Sequence, residues 1–229
     1  SGSYQPWRLG SNMRVAILSS GGKDSSAAIW WAQCQGWEVT HLVTVIITGD
    51  DSLTFQIPGT KLVKYQSRLV DCEWLPVLSG GLEKQEMKDL EVELSNLDID
   101  GVVTGALRSD YQKNRIERTC ENIGICSFSP LWHQNIRAHM EGLVSNGFEI
   151  MITAVSCEGL SDKWLGTILD KDKLRELGEL SEKYRFNFDG EGGEYETLVV
   201  AGPHMSGRLD VDYTKHWDGK RGYLEIKVV

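Results

Sequence analysis

The feature that most constrains the fold is a regular alternation of strand-like and helix-like segments between residues 13 and 128. Strand-like runs, rich in apolar and β-branched residues, lie at 14–18, 39–48, 73–78, 101–104 and 125–128. Segments typical of helices lie between them, at 24–36, 59–70, 84–97 and 110–122. This alternation predicts right-handed βαβ units and therefore a parallel sheet covered by helices. Ligands of such sheets bind at the carboxyl ends of the strands.

The pattern changes after Pro130. Two helices are predicted over 133–146 and 172–184, and four strands over 148–155, 197–200, 205–213 and 223–228. The last three strands are short and are expected to be antiparallel. We therefore predict an α/β protein, with a Rossmann-like parallel-sheet domain over 13–129 and a smaller α+β domain over 130–229. Residues 1–12 show no periodicity and are expected to be an appended segment outside the fold.

Composition excludes several classes of protein. The 24 basic and 33 acidic residues give a net charge of −9, which argues against binding nucleic acid through a basic surface. No apolar run approaches the ~20 residues that a membrane-spanning helix needs. Five cysteines, without a CxxC spacing, indicate neither a disulfide framework nor a zinc site. We expect a cytoplasmic protein with reduced cysteines and without membrane or direct nucleic-acid partners.

The turn between the first strand and the first helix has the composition of a phosphate site. Its residues are Ser20, Gly21, Gly22, Lys23, Asp24 and Ser25. The two glycines allow a sharp turn, and the amides at the following helix start attract anions. Lys23 adds a positive charge, whereas Asp24 would be unexpected there unless it orients Mg²⁺. The spacing is not that of a Walker loop, and a Gly-Gly turn with an Asp or Ser N-cap is the structural alternative.

A second candidate stretch follows the 101–104 strand. Gly105 lies at the same edge of the predicted sheet as the phosphate turn. Ser109 or Asp110 can cap the next helix, and the spacing of Tyr111 and Arg115 places them on one helical face. The arginines of this helix could bind phosphate. Alternatively, the segment is a capped amphipathic helix whose arginines pair with neighbouring acids.

The third stretch is an acidic loop in the second half of the chain. Glu191, Glu194 and Glu196 lie within six residues, around two glycines. Because such crowding is unfavourable without a cation or a hydrogen-bond network, these residues are candidates for binding Mg²⁺ or ammonium, or for a general base. The alternative is a solvated acidic turn before a strand.

The phosphate turn, Ser20-Gly-Gly-Lys-Asp-Ser25, resembles the PP-loop of the N-type ATP pyrophosphatases. In that superfamily the loop holds the pyrophosphate, ATP is cleaved between its α and β phosphates, and the substrate is activated as an adenylate. The resemblance therefore implies ATP as cosubstrate. The motif does not choose among members, which include GMP synthetase, NAD synthetase and tRNA-modifying enzymes.

Other segments resemble one family of that superfamily, the diphthine–ammonia ligases in their short archaeal form. The matching segments are Ser52–Gln56 (with Thr54 where Met is usual), Gly105 with Ser109–Gln112, Arg115–Glu117, Pro130–Trp132 and Glu191–Thr197. The resemblance implies ATP-dependent amidation of diphthine on translation elongation factor 2, with ammonium as nitrogen donor. An acyl-adenylate forms, and AMP and pyrophosphate are released.

The resemblance also implies roles for the candidate residues. Lys23, Asp24 and Glu194 are expected to be catalytic, and Asp24 to contact Mg²⁺. ATP is expected to contact Ser20, Gly21, Gly22, Lys23, Asp24, Ser25, Gly105, Ser109 and Asp110. The substrate is expected to contact Tyr111, Gln112, Arg115, Glu191, Glu194 and Glu196.

Two other functions stay open. A tRNA-modifying pyrophosphatase that transfers sulfur would need a catalytic cysteine pair, for which Cys120 and Cys126 lie nearest. A non-catalytic nucleotide sensor would keep the phosphate turn but would not need the acidic loop. The oligomeric state is also open, with a homodimer among the options.

Overall fold

A computed structural model describes residues 12–47, 60–80, 83–106 and 110–229. Its first half contains strands β1 (Arg14–Leu18), β2 (Glu38–Ile47), β3 (Glu73–Ser79), β4 (Gly101–Thr104) and β5 (Cys126–Phe128). The helices between them are α1 (Lys23–Cys34), α2 (Val63–Val70), α3 (Glu83–Ser95) and α4 (Asp110–Ile123). These are the strands and helices that the alternation predicts, with ends that differ by a few residues.

The five strands form one parallel sheet in the order β3-β2-β1-β4-β5. Val15, Ala16 and Ile17 of the central strand β1 are fully buried, as expected for a strand covered by helices on both faces. The direction of strand addition reverses between β1 and β4. That reversal places a crevice at the carboxyl ends of β1 and β4, where α/β sheets bind ligands.

The second half forms an antiparallel sheet in the order β7-β6-β9-β8. Its elements are α5 (Ile136–Ser145), β6 (Glu149–Val155), α6 (Lys171–Tyr184), β7 (Tyr195–Ala201), β8 (Val211–Trp217) and β9 (Gly222–Val228). An α/β domain followed by a smaller α+β unit is therefore confirmed. The domain limits at residues 129 and 130 stay a prediction.

The strand predicted over 205–213 is wrong in its first part, because β8 begins at Val211. Met205 N–H instead donates to Gly202 O at 3.1 Å and closes a turn. Glycine and proline at 202–203 and Ser-Gly at 206–207 favour turns over extended pairing. Ser206 N–H donates to Leu69 O of α2 at 2.7 Å, so this segment joins the two halves.

Helix α1 packs against both sheets. Ala28, Ile29 and Ala32 belong to the core of the parallel sheet, whereas Ala27 and Trp30 pack into the core of the antiparallel sheet. The two halves therefore share one helix between their cores, and Cys34 at its C-terminal end is exposed. The partly buried Trp30 and Trp31 pack against the two cores, Trp30 against Phe148 at a ring-centroid distance of 5.6 Å.

The five cysteines all lie in described segments and are free thiols. This agrees with the lack of a disulfide signature in the sequence. Among the helices of the described segments, none combines the length and the apolar character needed to cross a membrane.

His204 is buried between the two halves. Its side chain is 4% exposed and stacks on Phe148 at 5.2 Å. Its carbonyl accepts a hydrogen bond from Gln33 Nε2 of α1 at 3.2 Å. Burial lowers the pKa of His204 to about 4, so the folded protein holds this imidazole in its neutral form.

His204 should therefore make the protein sensitive to mild acid. In the unfolded chain a histidine binds its proton near pH 6.5, so stability should fall as the pH drops from 6.5 towards 4, by at most about 3 kcal/mol. We expect His204→Phe, which keeps the stacking, to lose much less stability over this range. Urea unfolding of both proteins at pH 7.5, 5.5 and 4.5 measures the difference. Parallel pH dependences for the two proteins would contradict the assignment.

Candidate active site between the two sheets

The turn after β1 is anchored before α1 begins. Ser19 N–H donates to Val43 O at 2.9 Å, and the Thr44 hydroxyl donates to Ser19 O at 3.0 Å. Gly21 has a φ of +86°, which favours glycine because a side chain there would be strained. Gly21 N–H in turn points to Ser19 Oγ at 3.3 Å. The turn is therefore held by β2 and by its own hydroxyls.

The start of α1 lies at the end of this turn. Gly22 is the N-cap residue and has no side chain with which to cap the helix. Ser25 Oγ donates to Gly22 O and accepts from Ser20 N–H, each at 3.3 Å. The positive end of the helix dipole and a lysine thus lie together at the carboxyl edge of β1. This is the arrangement that binds phosphate in many proteins.

Gly105 packs directly on the start of α1. A Cβ at this position would lie 2.5 Å from Asp24 O and 2.9 Å from Ser25 N, both backbone atoms. The end of β4 and the phosphate turn therefore touch, as the topology predicts, and glycine is required for the contact. Ser109 and the Ser52–Gln56 segment, which the sequence also singled out, lie outside the described residues.

Lys23 and Asp24 form a buried charged group with a third residue, His139. Lys23 is 5% exposed, and its Nζ lies 2.8 Å from Asp24 Oδ2. His139 Nε2, from α5 in the other half, lies 2.9 Å from Asp24 Oδ1. Burial by itself would raise the pKa of Asp24, but the charge of Lys23 and the hydrogen bonds from His139 and Lys23 outweigh it and lower that pKa.

The phosphate turn is also bonded to the antiparallel sheet. Val199 N–H of β7 donates to Gly21 O at 3.0 Å. Gln66 Nε2 of α2, a side chain that is 2% exposed, donates both to Gly21 O at 3.0 Å and to Val199 O at 2.8 Å. Lys23 N–H donates to Thr197 Oγ1 at 3.1 Å. The turn and Gln66 thus provide hydrogen-bond partners for β7, an edge strand of the second sheet.

Glu196 is the residue of the acidic motif that is affected by the charges of Lys23 and Asp24. Burial raises the pKa of the Glu196 carboxyl; the charge of Lys23 acts against this rise, and the charge of Asp24 adds to it. Glu196 therefore lies within electrostatic range of Lys23 and Asp24. Glu196 precedes Thr197, the residue that bonds the Lys23 amide. The structure therefore brings this acid to the phosphate turn.

Glu194 is folded onto its own loop instead. Its Oε1 accepts hydrogen bonds from Asn187 N–H at 3.0 Å and from Asn187 Nδ2 at 2.7 Å. Its Oε2 is buried and has no hydrogen-bond partner among the described residues. Glu191 is exposed, and its N–H donates to Asp189 Oδ1 at 3.3 Å. The three acids of the loop thus lie in three different environments.

Tyr195 lies among the carboxylates of both halves. It is 3% exposed, and its hydroxyl donates to Phe188 O at 2.6 Å. Burial raises the pKa of this phenol well above its usual value, and the charges of Asp189, Asp24 and Glu194 raise it further. Tyr195 is therefore a neutral hydrogen-bond donor, and it marks the point where the acidic loop and the phosphate turn converge.

The start of α4 presents an aromatic and basic surface. Tyr111 is 55% exposed, and Arg115 Nη1 donates to its hydroxyl at 3.0 Å while the guanidinium lies 4.8 Å from the ring centre. Lys113 pairs with Glu117 and lies 5.3 Å from the centre of the Trp132 ring. Asp110 and Gln112 are exposed in the same helical turn. Tyr111 and Arg115 therefore share a face, as their spacing predicts.

Comparison with known proteins covers both halves of the chain. Residues 13–127 match the family described as the diphthamide synthase N-terminal domain, and residues 135–229 match the diphthamide synthase C-terminal domain. The chain belongs to the diphthamide synthase family.

Several relatives of the diphthamide synthase family carry the name diphthine–ammonia ligase. One from Schizosaccharomyces pombe is 31% identical over 240 residues, which cover 94% of this chain and 39% of the relative. One from Homo sapiens is 29% identical over 223 residues, which cover 87% of this chain and 83% of the relative. One from Danio rerio is 30% identical over a match that covers 89% of this chain and 88% of the relative. The chain thus spans less than half of the S. pombe relative and most of the vertebrate ones.

Sequence reasoning did not find three residues of this site. His139, Gln66 and Thr197 contact the phosphate turn across 115, 45 and 174 residues of sequence, respectively. Thr197 is the last residue of the Glu191–Thr197 motif. That motif drew attention because of its carboxylates, not because of the Thr197 hydroxyl. In this member of the diphthamide synthase family, no group of three or more His, Cys, Asp or Glu side chains within the described segments is arranged to hold a metal ion.

The close packing of Gly105 gives a direct test of the site geometry. Gly105→Ala should lower the free energy of unfolding by about 1–3 kcal/mol, because its methyl group would meet the backbone of Asp24. Gly142→Ala in α5 is the matched control, since an added Cβ there has no neighbour within 4 Å among the described residues. It should be neutral or stabilise by up to about 1 kcal/mol. Urea unfolding of the two variants checks this. Equal stabilities would mean that β4 does not press on the phosphate turn.

Proposed function

We propose that this protein is an ATP-dependent ligase that converts diphthine on translation elongation factor 2 into diphthamide, with ammonium as the nitrogen donor. The observation that carries the proposal is the phosphate turn at Gly21–Asp24, completed by the second-half motif that ends in Thr197. Both halves match the same family, and the relatives reported above carry the name of this ligase. The proposal extends the activity in that name to this chain.

The residues at the turn suit the first half-reaction. The diphthine carboxylate attacks the α-phosphorus of ATP, the bond to the β-phosphate breaks, and an acyl-adenylate and pyrophosphate form. The amides at the start of α1 and the buried Lys23 stabilise the negative charge that develops on the pyrophosphate. Mg²⁺, when bound, would supply further charge neutralisation. Asp24 would be its protein ligand, since Mg²⁺ commonly keeps few protein ligands.

The acidic loop suits the second half-reaction. Ammonia attacks the acyl carbon of the adenylate, the amide forms, AMP leaves, and the protons of ammonium must be accepted nearby. Glu194 Oε2 is buried and lacks a hydrogen-bond partner among the described residues, so an ammonium ion would satisfy it. We assign Glu194 to ammonium. We assign Glu191, Glu196, Tyr111, Gln112 and Arg115 to the protein-bound substrate.

The rival functions explain less of the site. A sulfur-transferring tRNA enzyme needs a thiolate, but burial raises the pKa of Cys120 to about 12, and burial also raises the pKa of Cys126. A nucleotide sensor would have no use for an acidic loop beside the phosphate turn. A cytoplasmic location is part of the proposal, and the free cysteines agree with a reducing compartment. Homodimer formation is not required by the site.

The first test is the identity of the products. We expect AMP and pyrophosphate from a reaction with ATP, Mg²⁺, ammonium and diphthine-bearing elongation factor 2. Lys23→Ala should lower their formation by at least about 100-fold, because it removes a buried positive charge from the phosphate site. Lys220→Ala, an exposed lysine in the turn between β8 and β9, is the control. Chromatography separates the nucleotides, and formation of ADP with phosphate would contradict the proposal.

Glu194→Gln tests the assignment of the acidic loop. The change removes the charge but keeps an oxygen for the two Asn187 donors. If Glu194 serves the ammonium step, pyrophosphate should still form while the yield of amide falls at least about tenfold. Isotope exchange between ATP and pyrophosphate measures the first step, and mass analysis of elongation factor 2 distinguishes amide from acid. Glu179→Gln, at an exposed acid of α6 that has no assigned role in the site, is the control. An equal fall in the rates of pyrophosphate exchange and amide formation would contradict the ammonium assignment and would indicate that Glu194 acts in the ATP step.

A further inference from the structure

One histidine of α5, in the second half of the chain, contacts Asp24 at the phosphate turn. His139 is 8% exposed, and its ring nitrogen lies 2.9 Å from Asp24 Oδ1. The helix that carries it is firmly held. Asn135 caps its first turn by accepting a hydrogen bond from Ala138 N–H at 2.9 Å, and Met140 and Leu143 are buried in the core of the second sheet. His139 therefore has a fixed position relative to Asp24.

Lys23 and Asp24 present a conflict that His139 can resolve. Lys23 Nζ lies 2.8 Å from Asp24 Oδ2, yet the phosphates of ATP require the same positive charge. An isolated carboxylate would compete with the phosphates for Lys23. It would also turn away when the lysine leaves, because a buried charge without a partner is unfavourable. A hydrogen bond from His139 to Asp24 Oδ1 reduces both the competition for Lys23 and the tendency of the carboxylate to turn away.

We propose that His139 is a positioning residue for the adenylation step. It holds Asp24 by a hydrogen bond to Oδ1, so that Lys23 can transfer its charge to the phosphates of ATP while the carboxylate keeps its orientation. His139 contacts Asp24 rather than ATP, so its effect on the reaction passes through Asp24. A consequence is that the N-terminal half depends on α5 of the C-terminal half for a competent ATP site.

This inference rests on the proposed function, because formation of pyrophosphate is its main readout. Binding of Mg-ATP, measured by titration calorimetry, is a second readout that does not need the ligase reaction. A wild-type protein that binds ATP but forms no AMP would contradict the proposed function. His139 would then still be tested by ATP affinity. The two proposals can therefore fail separately.

Two substitutions separate the hydrogen bond from the packing of the side chain. His139→Leu keeps apolar volume but removes the donor, and we expect the rate of pyrophosphate formation to fall by about 10- to 100-fold, as for loss of a hydrogen bond to a charged group. His139→Gln places an N–H donor near the position of Nε2, so its rate should recover to within about threefold of wild type. A variant in which glutamine is as slow as leucine would overturn the proposal.

The control is the other buried histidine of the second half. His204 is 4% exposed and stacks on Phe148. His204→Leu should disturb packing to a similar degree but should leave pyrophosphate formation at pH 7.5 within about twofold of wild type, because its ring is already neutral there. Thermal melting of all variants shows whether each is folded at the assay temperature. If His139→Leu is not folded, His139→Asn replaces it, because an asparagine side chain is too short to reach Asp24. The ATP affinities of His139→Gln and His139→Asn are then compared.

A double-mutant cycle tests whether His139 acts through Asp24. In an Asp24→Asn background the charge that His139 orients is absent, so adding His139→Leu should change the residual rate by less than about twofold. In the wild-type background the same substitution should have its full effect. Independent effects that multiply in the double variant would show that His139 acts without Asp24 and would overturn the proposal.

Discussion

The hydrogen bonds that join Gly21 to Val199 and Gln66 are the constraint on which the site depends. Strand β7 lies at an edge of its sheet, where unpaired backbone groups need partners. The Gly21 carbonyl and the buried Gln66 amide satisfy part of that edge. The same contacts fix the turn that we propose to bind the phosphates of ATP. The edge of the second sheet and the turn after β1 therefore stabilise each other, and the candidate site takes residues from both halves.

The two carboxylates at this junction affect stability in opposite directions. Burial raises the pKa of Glu196 despite the attraction of Lys23, so the ionised carboxylate costs free energy at neutral pH. Asp24 shows the opposite shift, because two donors hold its charged form. Carboxylates in one small region with opposite pKa shifts are typical of functional sites, where charge is kept for chemistry rather than for stability. The arrangement agrees with a site that receives a cation and releases protons.

The parallel-sheet half was predictable from sequence because each of its elements has a local signal. The runs around β1 and β2 and the apolar spacing of Leu90 and Leu94 in α3 need no partner to be recognised. The phosphate turn was predictable because glycines and a helix start lie side by side. His139 and Gln66 were not, since a long-range contact from a single polar residue has no periodicity. The 205–213 strand failed because turn residues outweighed its apolar alternation.

Helix α1 connects these contacts, because its N-terminus carries the catalytic turn and its flanks belong to both cores. A shift of one half relative to the other would move Ala27 against the second core and, at the same time, change the distance between Asp24 and His139. In the proposed function, binding of ATP at the start of α1 would therefore be thermodynamically linked to the packing of the two halves. The proposed acyl-adenylate would be protected from water there as long as that packing holds. The exposed Tyr111 and the half-buried Arg115 lie on the helix that follows β4 at the same sheet edge, where the proposed protein-bound substrate would approach.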